Sequence, residues 1–168
     1  MKAPTLAGKY RLVARIDNDA SQKKSWEVLE DFNNVYTWAP GVTESHGIGK
    51  GDKQIGAGRH CKLDGFGEID EYITHWQEGT GFVYDVSPLG PLHNALSSWW
   101  LTPIDETSTR LEVVFSYNIR FGLFGRIMHK LIMRGKLEKS LPETLQSVKK
   151  RIETGASIRP RLTAVTAI

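Results

Sequence analysis

The chain has 168 residues, 22 of them Lys or Arg against 19 Asp or Glu, for a net charge of +3. Its 40% hydrophobic and 24% charged content exclude a disordered chain, and a domain of this length buries roughly 70% of its unfolded surface, enough for a core and an internal cavity. So balanced a charge gives no ground for a nucleic-acid partner.

Tyr10, Leu12, Ala14 and Ile16 alternate with Arg11, Val13 and Arg15, the pattern of a first strand. Asn18 to Ser21 then offers helix caps, and Trp26, Leu29 and Phe32 recur at helical spacing. A second short helical turn over 33–40 ends at Pro40-Gly41. From Val42 to Ile119 turn residues divide strand after strand: 42–49, 58–64, 67–76, 81–86, 95–102 and 110–120. After Phe121 the period lengthens, and Ile127, Leu131, Leu137, Leu141, Leu145, Val148 and Ile152 predict one apolar stripe on a long amphipathic helix. Pro142 predicts a kink or restart near Leu141, and Ser140 with Glu143 has capping-box spacing. Residues 1–155 read as a single domain and 156–168, which lack a clear period, as a flexible C-terminal tail.

A meander sheet needs one face covered, and only the last helix is long enough to cover it. The expected class is α+β: a curved antiparallel sheet of about seven strands, two short helices, and a long C-terminal helix over a cavity. Three local patterns sharpen this. They are Ser25-Trp26-Glu27-Val28-Leu29-Glu30-Asp31-Phe32 closed by Trp38-Ala39-Pro40-Gly41, the stretch from Gly65 to Trp76 followed by Phe82-Val83-Tyr84, and the final helix after a Gly122–Gly125 turn. With this order of elements, residues 9–154 resemble the helix-grip (START-like, SRPBCC) superfamily, and come nearest in pattern to bacterial polyketide cyclase/dehydrase-like proteins. The resemblance implies an internal cavity for a hydrophobic molecule, with Glu71 pointing into it and the loop 87–94 gating it. The same fold hosts carriers, receptors and enzymes, so function must come from the site.

Alternation assigns the faces. Arg59, Cys61 and Leu63 share one side of their strand; Ile69, Glu71 and Ile73 share one side of the next. Tyr84 and Val86, then Ser97 and Trp99, then Phe115 and Tyr117 extend the same concave set. Leu92 and His93 in the joining loop, and Met128 and Ile132 near the start of the long helix, complete the candidate ligand-binding residues. Arg59 and Glu71 are charges on otherwise apolar faces. Either they pair with each other, or they orient a polar group on a ligand.

Metal binding is not expected, because His46, His60, His75, His93 and His129 show no ligand spacing. Gly47 to Gly51 lacks the Lys-Ser/Thr of a phosphate loop, Gly56-Ala57-Gly58 is no dinucleotide fingerprint, and no cofactor is implied. Cys61 is the sole cysteine, which excludes an intrachain disulfide. Met1 to Lys9 lacks the apolar core of a signal peptide, and no stretch approaches the roughly 20 apolar residues of a membrane span. A cytoplasmic protein is expected. The late basic residues, from Arg126 to Arg151, read as a solvated helix face or as an attraction to an anionic membrane or acidic partner. The expected function is binding of a small hydrophobic ligand (lipid-like, aromatic or polyketide-like) as carrier or sensor. The alternative is a cofactor-independent cyclase or dehydratase with Glu71 as acid/base, since desolvation favours a proton on a buried carboxyl. An adjacent Arg59 works against that role.

Overall fold

The computed structural model describes residues 2–161. Strand β1 (Tyr10–Asn18) leads into helix α1 (Gln22–Leu29), a 3-10 turn (Phe32–Thr37), and strands β2 (Val42–Gly49) and β3 (Ala57–Leu63). Strands β4 (Gly67–Gln77), β5 (Gly81–Val86), β6 (Leu92–Pro103) and β7 (Thr109–Ile119) follow. Helix α2 (Gly122–Met128), a π-helical turn (His129–Met133) and helix α3 (Arg134–Thr154) close the chain. The strands form one antiparallel, seven-stranded sheet in the order β1-β7-β6-β5-β4-β3-β2. Every consecutive pair from β2 to β7 is a hairpin; only β1 crosses over, to pair with β7. This is the helix-grip arrangement that the order of elements and the family resemblance imply.

Bulges shape the sheet. Register shifts between Ile73 and His75 and between His93 and Leu96 each slip one strand against its neighbour and bend it. Asn94, at φ 48°, takes the left-handed conformation inside the second bulge, which an Asn side chain tolerates better than most. On the concave face the main core joins Trp26, Leu29 and Phe32 to Phe82, Trp99, Leu111 and Val113, with Leu145, Val148 and Ile152 of α3 packed over them. A second cluster gathers Leu92, Ala95, Tyr117 and Met133 at the other end of the sheet. On the convex face Leu6 covers Val83 and Val114, a contact no periodicity announces.

Two expectations about the long helix need correction. Helix α3 runs unbroken through Pro142, and Ser140 does not cap a restart: its hydroxyl donates to the Leu137 carbonyl at 3.3 Å. The irregularity lies upstream, in the π turn at His129–Met133. Its wider turn changes the helix phase, so the expected stripe divides: Leu145, Val148 and Ile152 are buried while Ile127 and Leu131 are exposed. Since proline denies the helix one hydrogen bond without breaking it, Pro142→Ala should keep the fold and raise the unfolding temperature. The gain expected is a fraction of the about 3 kcal/mol that separates Pro from Ala in a helix interior. A lowered melting temperature by circular dichroism would show that Pro142 serves a packing role instead.

Of the expected tail, Ile158 donates its amide to the Thr37 carbonyl at 2.8 Å, and Arg159 donates to the carbonyls of Tyr36, Ala39 and Pro40, each at 3.1 Å. The rest, 162–168, lies outside the described residues. None of the described helices is long and apolar enough to cross a membrane.

Candidate functional site

A cavity of about 410 Å³ opens between the concave sheet and α3. Strands β3 and β4 place Arg59 opposite Glu71 and Cys61 opposite Ile69, so alternation brings all four to one wall. Arg59 Nε donates to Glu71 Oε2, and the two side chains are only 6% and 8% exposed. The guanidinium also donates to the Phe32 carbonyl at 2.8 Å and lies 3.9 Å from the Phe32 ring centroid and 5.1 Å from that of Tyr84. Both contacts suit a desolvated cation.

Burial disfavours the Arg59 cation, but the Glu71 carboxylate's charge and hydrogen bond, together with Cys61 and Tyr84, hold the guanidinium above its ordinary range. Burial pushes the Cys61 thiol up to about 12, so it sits in the wall as an inert apolar group. Desolvation likewise raises the Tyr84 phenol, whose oxygen accepts a hydrogen bond from Trp99 Nε1 at 3.1 Å. The same indole donates to Ser97 Oγ at 3.1 Å. A short polar track, Ser97–Trp99–Tyr84, therefore runs beside the ion pair in an otherwise apolar wall.

Among the residues expected from the sequence, Arg59, Cys61, Leu63, Ile69, Glu71, Tyr84, Ser97, Trp99 and Phe115 line the cavity. The structure places the others elsewhere. Ile73 is closed inside the main core, and Val86 packs against both clusters. Leu92 and Tyr117 belong to the second cluster, where the Tyr117 hydroxyl meets His129 Nε2 at 2.7 Å. His93 lies opposite Asn118, just before the β6 bulge that separates it from the cavity strands. Met128 is half-buried and Ile132 is 51% exposed. The helix instead lines the cavity with Met133, Leu137, Leu141 and Thr144, because Gly125, His129 and Met133, four residues apart, are the positions turned inward.

Sequence reasoning missed Leu12, Val35, Trp38, Pro40, Val42 and Phe66 in the lining, and left Leu89 of the gating loop and Val113 of the concave set out of the candidate site. Leu12 and Val113 were available from parity alone. Phe66 and Leu89 sit in turns, where no periodicity operates. Asp64 and Glu143 border the cavity as exposed carboxylates, and no histidine among the described residues lines it.

The family model described as "Polyketide cyclase / dehydrase and lipid transport" matches residues 9–153. The chain belongs to this family. Solved structures of similar fold carry names of diverse activity. The Zhui aromatase/cyclase from Streptomyces sp. R1128 is 12% identical with a TM-score of 0.67, over 89% of this chain and 99% of that one. A START superfamily protein from Mycobacterium smegmatis is 13% identical with a TM-score of 0.65, over 84% and 98%. Norcoclaurine synthase from Thalictrum, solved with a transition-state analogue, is 15% identical with a TM-score of 0.66, over 85% and 93%. At such identities the likeness is one of fold. Among curated proteins none matches the sequence. Family and fold together indicate hydrophobic-ligand binding or cyclase-like chemistry for this polyketide cyclase/dehydrase family chain.

Two histidines outside the cavity give a pH test of the geometry. The Asp70 carboxylate, 2.6 Å from His60 Nδ1, raises the His60 ring above its ordinary 6.5, while burial lowers that of His129. The signs oppose. His60 contributes stability fully present below pH 6.5 and lost as pH rises through its raised value. His129 contributes stability present above pH 6.5 and lost as pH falls, because the unfolded chain then binds the extra proton. An NMR titration should show His129 deprotonating before His60 as pH rises; the reverse order would contradict both environments.

Proposed function

We propose that the chain binds one small, largely apolar molecule with a polar end in this cavity, as a carrier or sensor in the cytoplasm. The observation that carries the proposal is a roughly 410 Å³ cavity whose apolar wall holds one desolvated ion pair, Arg59–Glu71. Ligand sites are typically apolar enclosures of roughly 300–1,000 Å³ with a few placed polar groups. Arg59 and the Ser97–Trp99–Tyr84 track would fix the polar end, and Leu63, Ile69, Phe115 and Leu141 would enclose the apolar body. The single buried thiol agrees with a reducing compartment. In a fluorescence titration, an aromatic carboxylate probe should bind with one-to-one stoichiometry and be displaced by apolar carboxylic acids. Many weak sites, or no saturable binding, would overturn the reading.

A second reading, a cyclase or dehydratase, rests on Glu71 and Tyr84 facing the same cavity. It asks Glu71 to move protons while Arg59 holds one of its oxygens, so the ion pair would have to open for that oxygen to act. Turnover of an added poly-β-keto thioester mimic, lost in Glu71→Gln, would favour it over binding alone.

A further inference from the structure

The apolar side chains displaced from the cavity by the helix phase are gathered on one surface. Leu123, Phe124, Ile127 and Leu131 are 68%, 66%, 48% and 75% exposed, and Phe121 and Ile132 beside them 57% and 51%. Leu123, Ile127 and Leu131 follow one another at four-residue spacing, which aligns them on one helix face. That face is held outward. A Cβ on Gly125 would stand 1.8 Å from the Arg120 carbonyl oxygen, so the helix rests against the end of β7 through Gly125. His129 and Met133, also buried, continue the inner face, and the Tyr117–His129 hydrogen bond fixes it. The leucines opposite have only solvent in front of them.

Charge identifies what the face fits. Arg126, Lys130 and Arg134 form a row along its flank, Arg120 and Lys136 stand at its two ends, and no Asp or Glu occurs between Glu112 and Glu138. Arg134 is paired with Glu138 at 2.7 Å, which leaves Arg126 and Lys130 as the flanking cations with no ion pair among the described residues. An exposed apolar face flanked by cations is the pattern of a helix that lies in the interface of an anionic membrane. A second copy of the chain fits poorly: a two-fold contact would set this patch against itself and bring like charges together. We propose that the Phe121–Ile132 face docks on the surface of an anionic lipid bilayer, inserting Leu123, Phe124, Ile127 and Leu131 at headgroup depth. Met133 and Leu137, which follow directly, line the cavity, so docking would bring that end of the cavity to the lipid. The docking itself needs no ligand.

The test is cosedimentation of the full chain with vesicles of phosphatidylcholine alone and of phosphatidylcholine with phosphatidylglycerol. Binding is expected to the anionic vesicles, weakened by salt because exposed charges are screened beyond about 10 Å at 0.1 M. The triple variant Leu123→Ser/Phe124→Ser/Leu131→Ser alters only exposed side chains, so its circular dichroism should match the parent. Its vesicle binding should fall by about tenfold or more. Arg126→Glu/Lys130→Glu should lose the preference for anionic lipid. No binding to anionic vesicles, or binding undiminished in a folded triple variant, would overturn the proposal. So would a dimer abolished by the same three substitutions without vesicle binding, which would assign the face to a second copy. Probe binding in the cavity, measured on the same variants, is expected to persist, which separates this proposal from the one above.

Discussion

Arg59→Met is expected to destabilise the protein by about 3–5 kcal/mol, because it strands a buried carboxylate. The Glu71 side chain is 8% exposed and its Oε2 accepts from Arg59. The same change removes the donor to the Phe32 carbonyl, which adds the cost of an unpaired buried acceptor, about 1–3 kcal/mol if no water replaces it. Glu71→Gln keeps an acceptor for the guanidinium and should cost less. The double variant Arg59→Met/Glu71→Gln removes both charges, so it should be more stable than Arg59→Met alone, with a coupling of roughly 0.5–3 kcal/mol. Urea midpoints of the four proteins close the cycle. Additive losses would mean that the two groups do not act as a pair. Binding then separates structure from function: a folded double variant that no longer holds a ligand with a polar end supports the site, and undiminished binding makes the pair structural.

Leu145→Ala and Leu131→Ala should differ by several kcal/mol, although both residues belong to the stripe predicted from sequence. Leu145 is 2% exposed within the main core and Leu131 is 75% exposed. Truncating the first removes packed methyl groups and leaves a cavity, at about 2–5 kcal/mol. Truncating the second should fall within about 0.5 kcal/mol. Equal losses in thermal or urea unfolding would mean that the Leu131 face of α2 and the π turn is packed, and would withdraw the exposed face on which membrane docking depends.

The sheet and its wall were legible because strands report their faces at a period of two. Arg59, Cys61 and Leu63, or Ile69 and Glu71, needed only parity to be placed together, and the register of β3 with β4 agrees. The reading failed where the period is interrupted. The β6 bulge put Leu92 and His93 out of the frame that predicts Ser97 and Trp99. The π turn did the same to Met128 and Ile132. Neither a bulge nor a π turn has a strong sequence signal, since each adds one residue to a regular ladder. Turn residues such as Phe66 and Leu89 enter the cavity through tertiary folding alone. Pro142 was read too strongly: packing of Leu145, Val148 and Ile152 carries the helix through a residue that would end an isolated one.

A ligand site and a packing defect make different demands on the roughly 410 Å³ cavity. Native mass spectrometry of the freshly purified chain separates the two directly. A ligand site should give a one-to-one adduct that vanishes on denaturation and is recovered as an unchanged small apolar molecule with a polar end. A bare chain mass that stays bare when apolar carboxylic acids and alcohols are added would contradict it.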